Sequence, residues 1–82
     1  MSDESIAARI DRLVKEEHEL RGREESDADM QLEADNERLS AIEVELDVCW
    51  DLLRRRRALR DAGANPDQAE ARDPNTVERY LQ

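Results

Sequence analysis

Five arginines fall within seven residues of one stretch, directly after the only tryptophan of the chain. The stretch is CWDLLRRRRALR, residues 49–60, and its arginines are Arg54–Arg57 and Arg60. A guanidinium is a planar fork of donors that suits carboxylates and phosphates, so the cluster could bind an acidic protein or RNA. Cations near the carboxyl end of a helix are also favoured by its dipole. Acids that could pair with them inside the chain are Asp3, Glu4, Asp51 and Asp61. The sequence leaves internal pairing and ligand binding open.

Trp50 is the first candidate for contact with another molecule, because tryptophan is enriched at binding hot spots. Trp50, Leu53 and Leu59 are expected to share one apolar arc, flanked by Arg54 and Arg57, which resembles an anchor with a basic rim. A second apolar face lies at the end of the chain. The candidate interface residues are Trp50, Leu53, Arg54, Arg57, Leu59, Val77, Tyr80 and Leu81.

Cys49 and His18 are the remaining reactive side chains, and neither belongs to a catalytic or metal-binding pattern. Cys49 occupies an apolar position, whereas a reactive thiol needs a base or cation beside an exposed sulfur. His18 lies among glutamates, and the Glu-x-x-His pair of di-iron bundles is missing because residue 15 is Lys15. One Cys and one His do not make a zinc site. We predict no metal, no cofactor and no catalytic residue.

An enzyme is the third candidate, after two non-catalytic functions. Residues 39–60 loosely resemble the first helix of the all-helical chorismate mutases, which has an L-x-x-[IL]-[DE]-x-[IVL]-[DE] rhythm followed by an arginine. The residues that fit this rhythm are Leu39, Ile42, Glu43, Glu45 and Leu53. Too little chain follows for the other helices of that fold, so we do not expect this activity.

The composition describes one small acidic domain, residues 1–82, with a thin core. The chain has a net charge of −9, one Trp, one Tyr and no Phe, so its apolar residues must be aligned along helices, or supplemented by a second copy or a partner. Residues 24–51, here called the acidic flank, hold eleven acids against Arg38 alone. This charge repels a phosphate backbone, and nucleic acid is not an expected partner. The flank could instead mimic nucleic acid in a basic site of another protein.

Heptad spacing predicts two long helices. The first, about 3–22, carries Ile6, Ile10, Leu13 and Leu20; the second, about 30–62, carries Leu32, Leu39, Ile42, Leu46, Cys49 and Leu53. The acidic loop between them, about 22–29, is short, which predicts an all-α, coiled-coil-like antiparallel two-helix hairpin. Two registers remain open, with Leu20 opposite Leu32 or opposite Leu39. In the first, helix two extends past its partner from Cys49 onward.

The tail, residues 63–82, contains two helix starts. Asn65-Pro66 and Asp73-Pro74 each place a capping residue before a proline, which predicts short helices at about 66–71 and 74–81. The second helix has an apolar face. We expect this tail to dock near Trp50, and the sequence does not decide between the same chain and a second one.

Cysteine usage and hydropathy bear on location. A single cysteine in an apolar stripe fits a reducing cytosol, and no segment resembles a signal peptide or a membrane span. We therefore expect a cytoplasmic, non-membrane homodimer that serves as a protein–protein interaction or assembly module, with an unidentified protein partner.

Several stretches together resemble a known family. They are the helix Ile6–Arg21, the segment Glu45–Arg60 with its C-W-D-L-L-R core, and the closing segments Asp61–Asp67 and Arg72–Gln82 with the ending T-V-E-x-Y-L-Q. The family comprises short uncharacterised bacterial proteins from high-GC lineages, classed as a domain of unknown function. The resemblance implies a compact helical protein in which the tail belongs to the fold. It implies no activity, cofactor or catalytic residue.

Overall fold

Every described element of the chain is a helix. The computed structural model describes the backbone of residues 2–26 and 29–81, and their side chains except at 23–32 and 81. In this part of the chain, α1 spans Asp3–Ser26, α2 spans Asp29–Asp61, a single 3-10 turn spans Pro66–Gln68 and α3 spans Pro74–Leu81. The all-α class predicted from the heptad spacing is therefore confirmed.

Helix α1 begins with reciprocal hydrogen bonds between two serines. The backbone N–H of Ser5 donates to Ser2 Oγ at 3.1 Å, and the backbone N–H of Ser2 donates to Ser5 Oγ at 3.1 Å. Together they satisfy donors that a helix start leaves without partners. Asp3 and Glu4 follow in the first turn, where negative charge complements the helix dipole. The cap thus places the Asp3 carboxylate in the first turn of α1, at the amino-terminal end of the helix.

Helix α1 continues through Gly22 to Ser26, four residues beyond the expected end. Gly63 is the one described glycine with a positive φ, so Gly22 does not form the predicted C-terminal cap. A glycine inside a helix costs only about 1 kcal/mol relative to alanine. Arg21 and Glu17, at 3.5 Å, add an ion pair one turn apart. Of the predicted loop at 22–29, residues 22–26 are therefore helical and Asp29 begins α2, while Asp27 and Ala28 lie outside the described residues.

Helix α2 ends in a Schellman motif, which turns the chain back on itself. Gly63 has a φ of 78°, a left-handed conformation that glycine adopts without strain. The Gly63 N–H donates to the Arg60 carbonyl at 3.1 Å, and the Ala64 N–H donates to the Leu59 carbonyl at 2.8 Å. The tail therefore starts back along α2.

Two Asx–Pro pairs organise the tail. Asn65 Oδ1 accepts a hydrogen bond from the Asp67 N–H at 3.0 Å, and Asp73 Oδ1 accepts one from the Asn75 N–H at 2.8 Å. The helix expected at 66–71 is only one 3-10 turn, because Ala69 is already extended, with φ −80° and ψ 130°. The Glu70 carbonyl, moreover, accepts from an arginine of α2 rather than from a helix N–H.

The core is a double row of aliphatic side chains between α1 and α2. Its buried members are Ile6, Ile10, Leu13 and Leu20 of α1 and Leu39, Ile42, Cys49 and Leu52 of α2; Val14, Leu46, Leu53 and Ala69 are half-buried against them. The sequence placed Leu53 in the seam, whereas Leu52 is the buried residue. The two leucines point about 100° apart on the helix, and the core side of α2 includes both, with Leu52 the more deeply buried. The predicted seam residue Leu32 has its side chain outside the described part.

Helix α2 is the element that every other described helix contacts. Asp3, at the start of α1, contacts Arg56 and Arg60 near the end of α2, and Glu16 contacts Arg38 at 2.7 Å. Cys49 and Leu52 are buried. The long overhang of one predicted register is therefore absent from the described chain, and α1 reaches as far as Arg56. The molecule measures 51 × 25 × 15 Å. None of its described helices is long and apolar enough to cross a membrane.

Candidate interaction surface at the arginine-rich end of α2

The arginine run divides into an inward and an outward set. Arg56 is the centre of the inward set, with a side chain that is 7% exposed. Its Nε donates to Asp3 Oδ1 at 2.6 Å, and one terminal nitrogen donates to Asp67 Oδ1 at 3.0 Å and to the Pro66 carbonyl at 3.3 Å. This one guanidinium therefore ties α1 and the tail to α2.

Asp3 receives a second guanidinium. A terminal nitrogen of Arg60 lies 2.6 Å from Asp3 Oδ2, while Arg56 holds Oδ1. Hydrogen bonds from Arg56 and then Arg60 lower the pKa of the Asp3 carboxyl below its ordinary value, because both stabilise the ionised form. The same contacts, first with Asp3 and then with Asp67, raise the pKa of Arg56. We call Asp3, Arg56, Arg60 and Asp67 the arginine clamp.

Arg55 belongs to the inward set and contacts the tail. Its terminal nitrogen donates to the Glu70 carbonyl at 2.7 Å and lies 3.6 Å from Asp51 Oδ2. Arg72 of the tail approaches the same carboxylate oxygen at 3.6 Å, and its guanidinium lies 5.0 Å from the centre of the Tyr80 ring. Charged contacts on both sides of Asp51 thus attach the tail to α2.

Arg54 and Arg57 form the outward set, together with the exposed tryptophan. Neither arginine makes an ion pair or hydrogen bond within the described chain, and both are exposed. Trp50 is 46% exposed, which is unusual for the largest apolar side chain of a small protein. Leu53 is half-buried against the core and lies between Trp50 and the two arginines in the sequence of α2. We call these four residues the Trp50 face.

Leu59 lies apart from the Trp50 face. It is half-buried and lines a shallow depression of about 490 Å³ with Arg55, Ala58, Gln68 and Ala69. The depression lies where the tail folds back on α2. The candidate residues Trp50 and Leu59 were expected to share one arc, and the structure places Leu59 at the junction with the tail instead.

The three candidate residues of the tail have different environments. Val77 is 2% exposed, so its side chain is already occupied within the chain. Tyr80 is 72% exposed beneath Arg72, and the side chain of Leu81 lies outside the described residues. Helix α3 contacts α2 of the same chain. Val77 therefore helps to attach the tail and is not a free contact residue in this conformation.

A pair of carboxyls also lies between α3 and α2. The hydrogen bond with Asp47, burial and the charges of Asp47 and Glu43 together raise the pKa of Glu78. Glu78 Oε1 is buried, and no donor in the described chain reaches it. Two carboxyls can share a hydrogen bond only when one of them carries a proton. The sequence alone did not point to this pair.

Cys49 and His18 have the environments of structural and surface residues. Cys49 is buried, and this burial raises the pKa of its thiol, which makes a reactive thiolate less accessible. His18 is exposed. Within the residues that the structure describes, no three His, Cys, Asp or Glu side chains are grouped so that they could hold a metal ion.

Several acids of the acidic flank are paired with cations. Glu45 lies 3.8 Å from Arg9 and 3.7 Å from Arg38, and Glu43 lies 3.4 Å from Arg21. The side chains of residues 24–32, the start of the flank, lie outside the described part. In the part that is described, Glu43, Glu45 and Asp51 are thus paired with arginines of the same chain, whereas Glu33 and Glu37 are exposed.

Fold and surface together define a small all-α protein with a charged seam and an exposed aromatic–arginine face. The chain belongs to the family described as Protein of unknown function (DUF2630), whose model matches residues 2–82. Uncharacterised proteins of Mycobacterium bovis and of two strains of Mycobacterium tuberculosis are 43% identical over 79 residues, covering 96% of this chain and 90% of each relative. No solved structure matches it. The resemblance noted in the sequence is confirmed, and the function of the family is unknown.

Proposed function

We propose that the chain is a small, non-catalytic interaction or assembly module that acts through the Trp50 face and works as a homodimer in the cytoplasm. The observation that carries this proposal is the division of the arginine run. Three arginines are engaged inside the chain, whereas Arg54 and Arg57 remain exposed beside a 46% exposed Trp50. A large aromatic side chain with adjacent guanidinium groups is the composition of binding hot spots.

The scaffold we propose for this face is a coiled-coil-like antiparallel hairpin of α1 and α2. Its support is the order of the ion pairs along the two helices. Asp3 contacts Arg56, Arg9 contacts Glu45 and Glu16 contacts Arg38, so over residues 3–16 of α1 the partner number falls as the α1 number rises. The contact of Arg21 with Glu43 does not follow this order. Only two residues separate the helices. In a hairpin with this connection, the numbers of two facing residues add up to about 55. The two registers considered from the sequence, which pair Leu20 with Leu32 or with Leu39, correspond to sums of 52 and 59, so this value lies between them.

Mimicry of nucleic acid by the acidic flank is the competing proposal, and the described ion pairs weaken it. Glu43 and Glu45 already face arginines of their own chain, which reduces the charge that they offer to a basic site. The two functions differ in their response to salt. Binding through mimicry weakens steeply as the ionic strength rises, whereas a contact anchored by Trp50 persists.

The proposed function is tested by affinity capture of the tagged protein after light cross-linking in its own cells. Wild type and a Trp50→Ala variant serve as parallel baits, and mass spectrometry identifies the products. We expect the main cross-linked product, whether a second copy or another protein, to be lost with Trp50→Ala.

The matched control is Tyr80→Ala, which removes the other exposed aromatic side chain. It is expected to retain the product. Equal recovery with all three baits, or no product above background with wild type, would show that the Trp50 face is not a contact surface.

A further inference from the structure

The side of α2 that carries the Trp50 face has a regular charge order. Glu43, Trp50 and Arg57 are spaced by seven residues, so they lie on one side of the helix, about two turns apart. All three are exposed, and Glu43 keeps 58% of its side-chain surface open despite its contact with Arg21. The side therefore carries an acid, an aromatic ring and a cation, with about 10.5 Å of helix between neighbours.

This order is complementary to itself when it is reversed. If two copies of α2 cross antiparallel with Trp50 on a two-fold axis, residue 43 of one copy stands level with residue 57 of the other. Both Arg57–Glu43 pairs are then formed between the copies, and the two Trp50 rings meet at the centre. A parallel arrangement instead places Arg57 beside Arg57 and Glu43 beside Glu43, which like-charge repulsion opposes.

We infer that the occupant of the Trp50 face is a second copy of this chain, docked antiparallel through α2 about a two-fold axis at Trp50. This inference rests on the proposed function and specifies its partner and geometry. Charge complementarity is the argument for a second copy. A phosphate ligand meets only Arg54 and Arg57 here, with Asp51 about one turn away and on a chain of net charge −9. A second copy uses the acid and the cation of this side at the same time.

The test exchanges charges between copies. The variants are Arg57→Glu and Glu43→Arg, and the dissociation constant of the dimer is measured by sedimentation equilibrium. Each variant alone places like charges at both junctions, so we expect its constant to rise by at least about tenfold. An equimolar mixture of the two restores both attractive pairs. Its heterodimer is expected within about threefold of the wild-type constant. Arg12→Glu, an exposed change on α1, is the control and is expected to have no effect.

A chemical cross-link tests the same geometry without charge reversal. Arg57→Lys keeps the cation, and a carbodiimide joins a lysine to a carboxylate only when they touch. We expect a covalent dimer in which Lys at position 57 is linked to Glu43 of the other copy, as identified by peptide mass spectrometry. A covalent dimer without this link contradicts the antiparallel geometry.

The outcomes separate the inference from the proposed function. In one outcome, wild type dimerises, Trp50→Ala dissociates the dimer, and the equimolar mixture of the two charge variants does not restore dimerisation. The Trp50 face then remains a contact surface, and the antiparallel pairing is overturned. If Trp50→Ala also leaves the dimer intact, both are overturned. A wild-type chain that stays monomeric overturns the inference, while loss of a cross-linked partner protein with Trp50→Ala would still support the proposed function.

Discussion

Adjacent arginines of one helix have different roles because successive side chains point about 100° apart. Arg56 faces α1 and the tail, whereas Arg57 faces solvent. The sequence showed that the cluster could pair with Asp3 and Asp51, and both do receive arginines. It did not show which arginine pairs with which acid, because that depends on how the start of α1 and the returning tail lie against α2. Asp67 was not anticipated as a partner of the arginines. It lies in the first turn after the Asn65-Pro66 pair, where the tail returns along α2 and its carboxylate reaches Arg56.

The residue-scale prediction concerns the pH dependence of the arginine clamp. Hydrogen bonds from Arg56 and Arg60 stabilise the ionised Asp3 carboxylate in the folded chain, so the pKa of this carboxyl lies below its ordinary value of 3.8. Its contribution to stability is therefore present above pH 3.8 and is lost as the pH falls through the lower pKa of the folded state. We expect Asp3→Asn to lower the thermal midpoint by several degrees at pH 7 and to flatten its decline below pH 4.

The control for this prediction is Asp11→Asn, on the exposed side of the same helix. Asp11 has no hydrogen bond or ion pair among the described residues. Circular dichroism melts of both variants between pH 3 and 7 make the comparison. Equal midpoints for the two variants would contradict the clamp.

At the scale of elements, the tail is the part whose attachment depends most on polar contacts. Val77 is the one buried apolar side chain among the described residues of α3. Arg72 and Glu78 add polar contacts with α2 to those that Asp67 and Glu70 make with its arginines. The Asx–Pro pairs made the helix starts predictable because capping depends on neighbours in sequence. The Glu78–Asp47 contact joins residues 31 positions apart, and no local pattern records it.

The element-scale prediction is that α3 is held more tightly at low pH. Asp47 and Glu43 of α2 face Glu78, with Arg21 beside Glu43, and the pKa of Glu78 is raised above its ordinary 4.5. The proton shared in the docked state stabilises docking below pH 4.5, and this contribution is lost as the pH rises through the raised pKa. Glu78→Gln supplies a permanent donor. We expect it to slow amide hydrogen exchange in residues 74–81 several-fold at pH 7.

Glu70→Gln is the matched change in the extended part of the tail, where the side chain is exposed. It is expected to leave exchange in α3 unaltered. If Glu78→Gln behaves like Glu70→Gln, or speeds exchange, the two carboxyls do not hold the tail.

At the scale of the whole molecule, one set of arginines pairs with acids of the same chain and another set stays exposed. The all-α class and the two long helices followed from the heptads, because apolar spacing is recorded directly in sequence. Trp50 was predicted as a contact residue because tryptophan is enriched at binding hot spots, and that role stays a prediction for a side chain that is 46% exposed. The fate of Leu59 and Val77 did not follow, because it depends on where the returning tail lies. The Trp50 face is what remains exposed once the clamp and the tail are in place.

The most direct measurement is the solution mass of wild type and Trp50→Ala by light scattering at matched concentrations, with Tyr80→Ala as the control. Wild type and Tyr80→Ala are expected at twice the chain mass of 9.5 kDa, and Trp50→Ala at 9.5 kDa with unchanged helicity. A wild-type mass of 9.5 kDa, or a Trp50→Ala variant that remains a dimer, would contradict an assembly built on the Trp50 face.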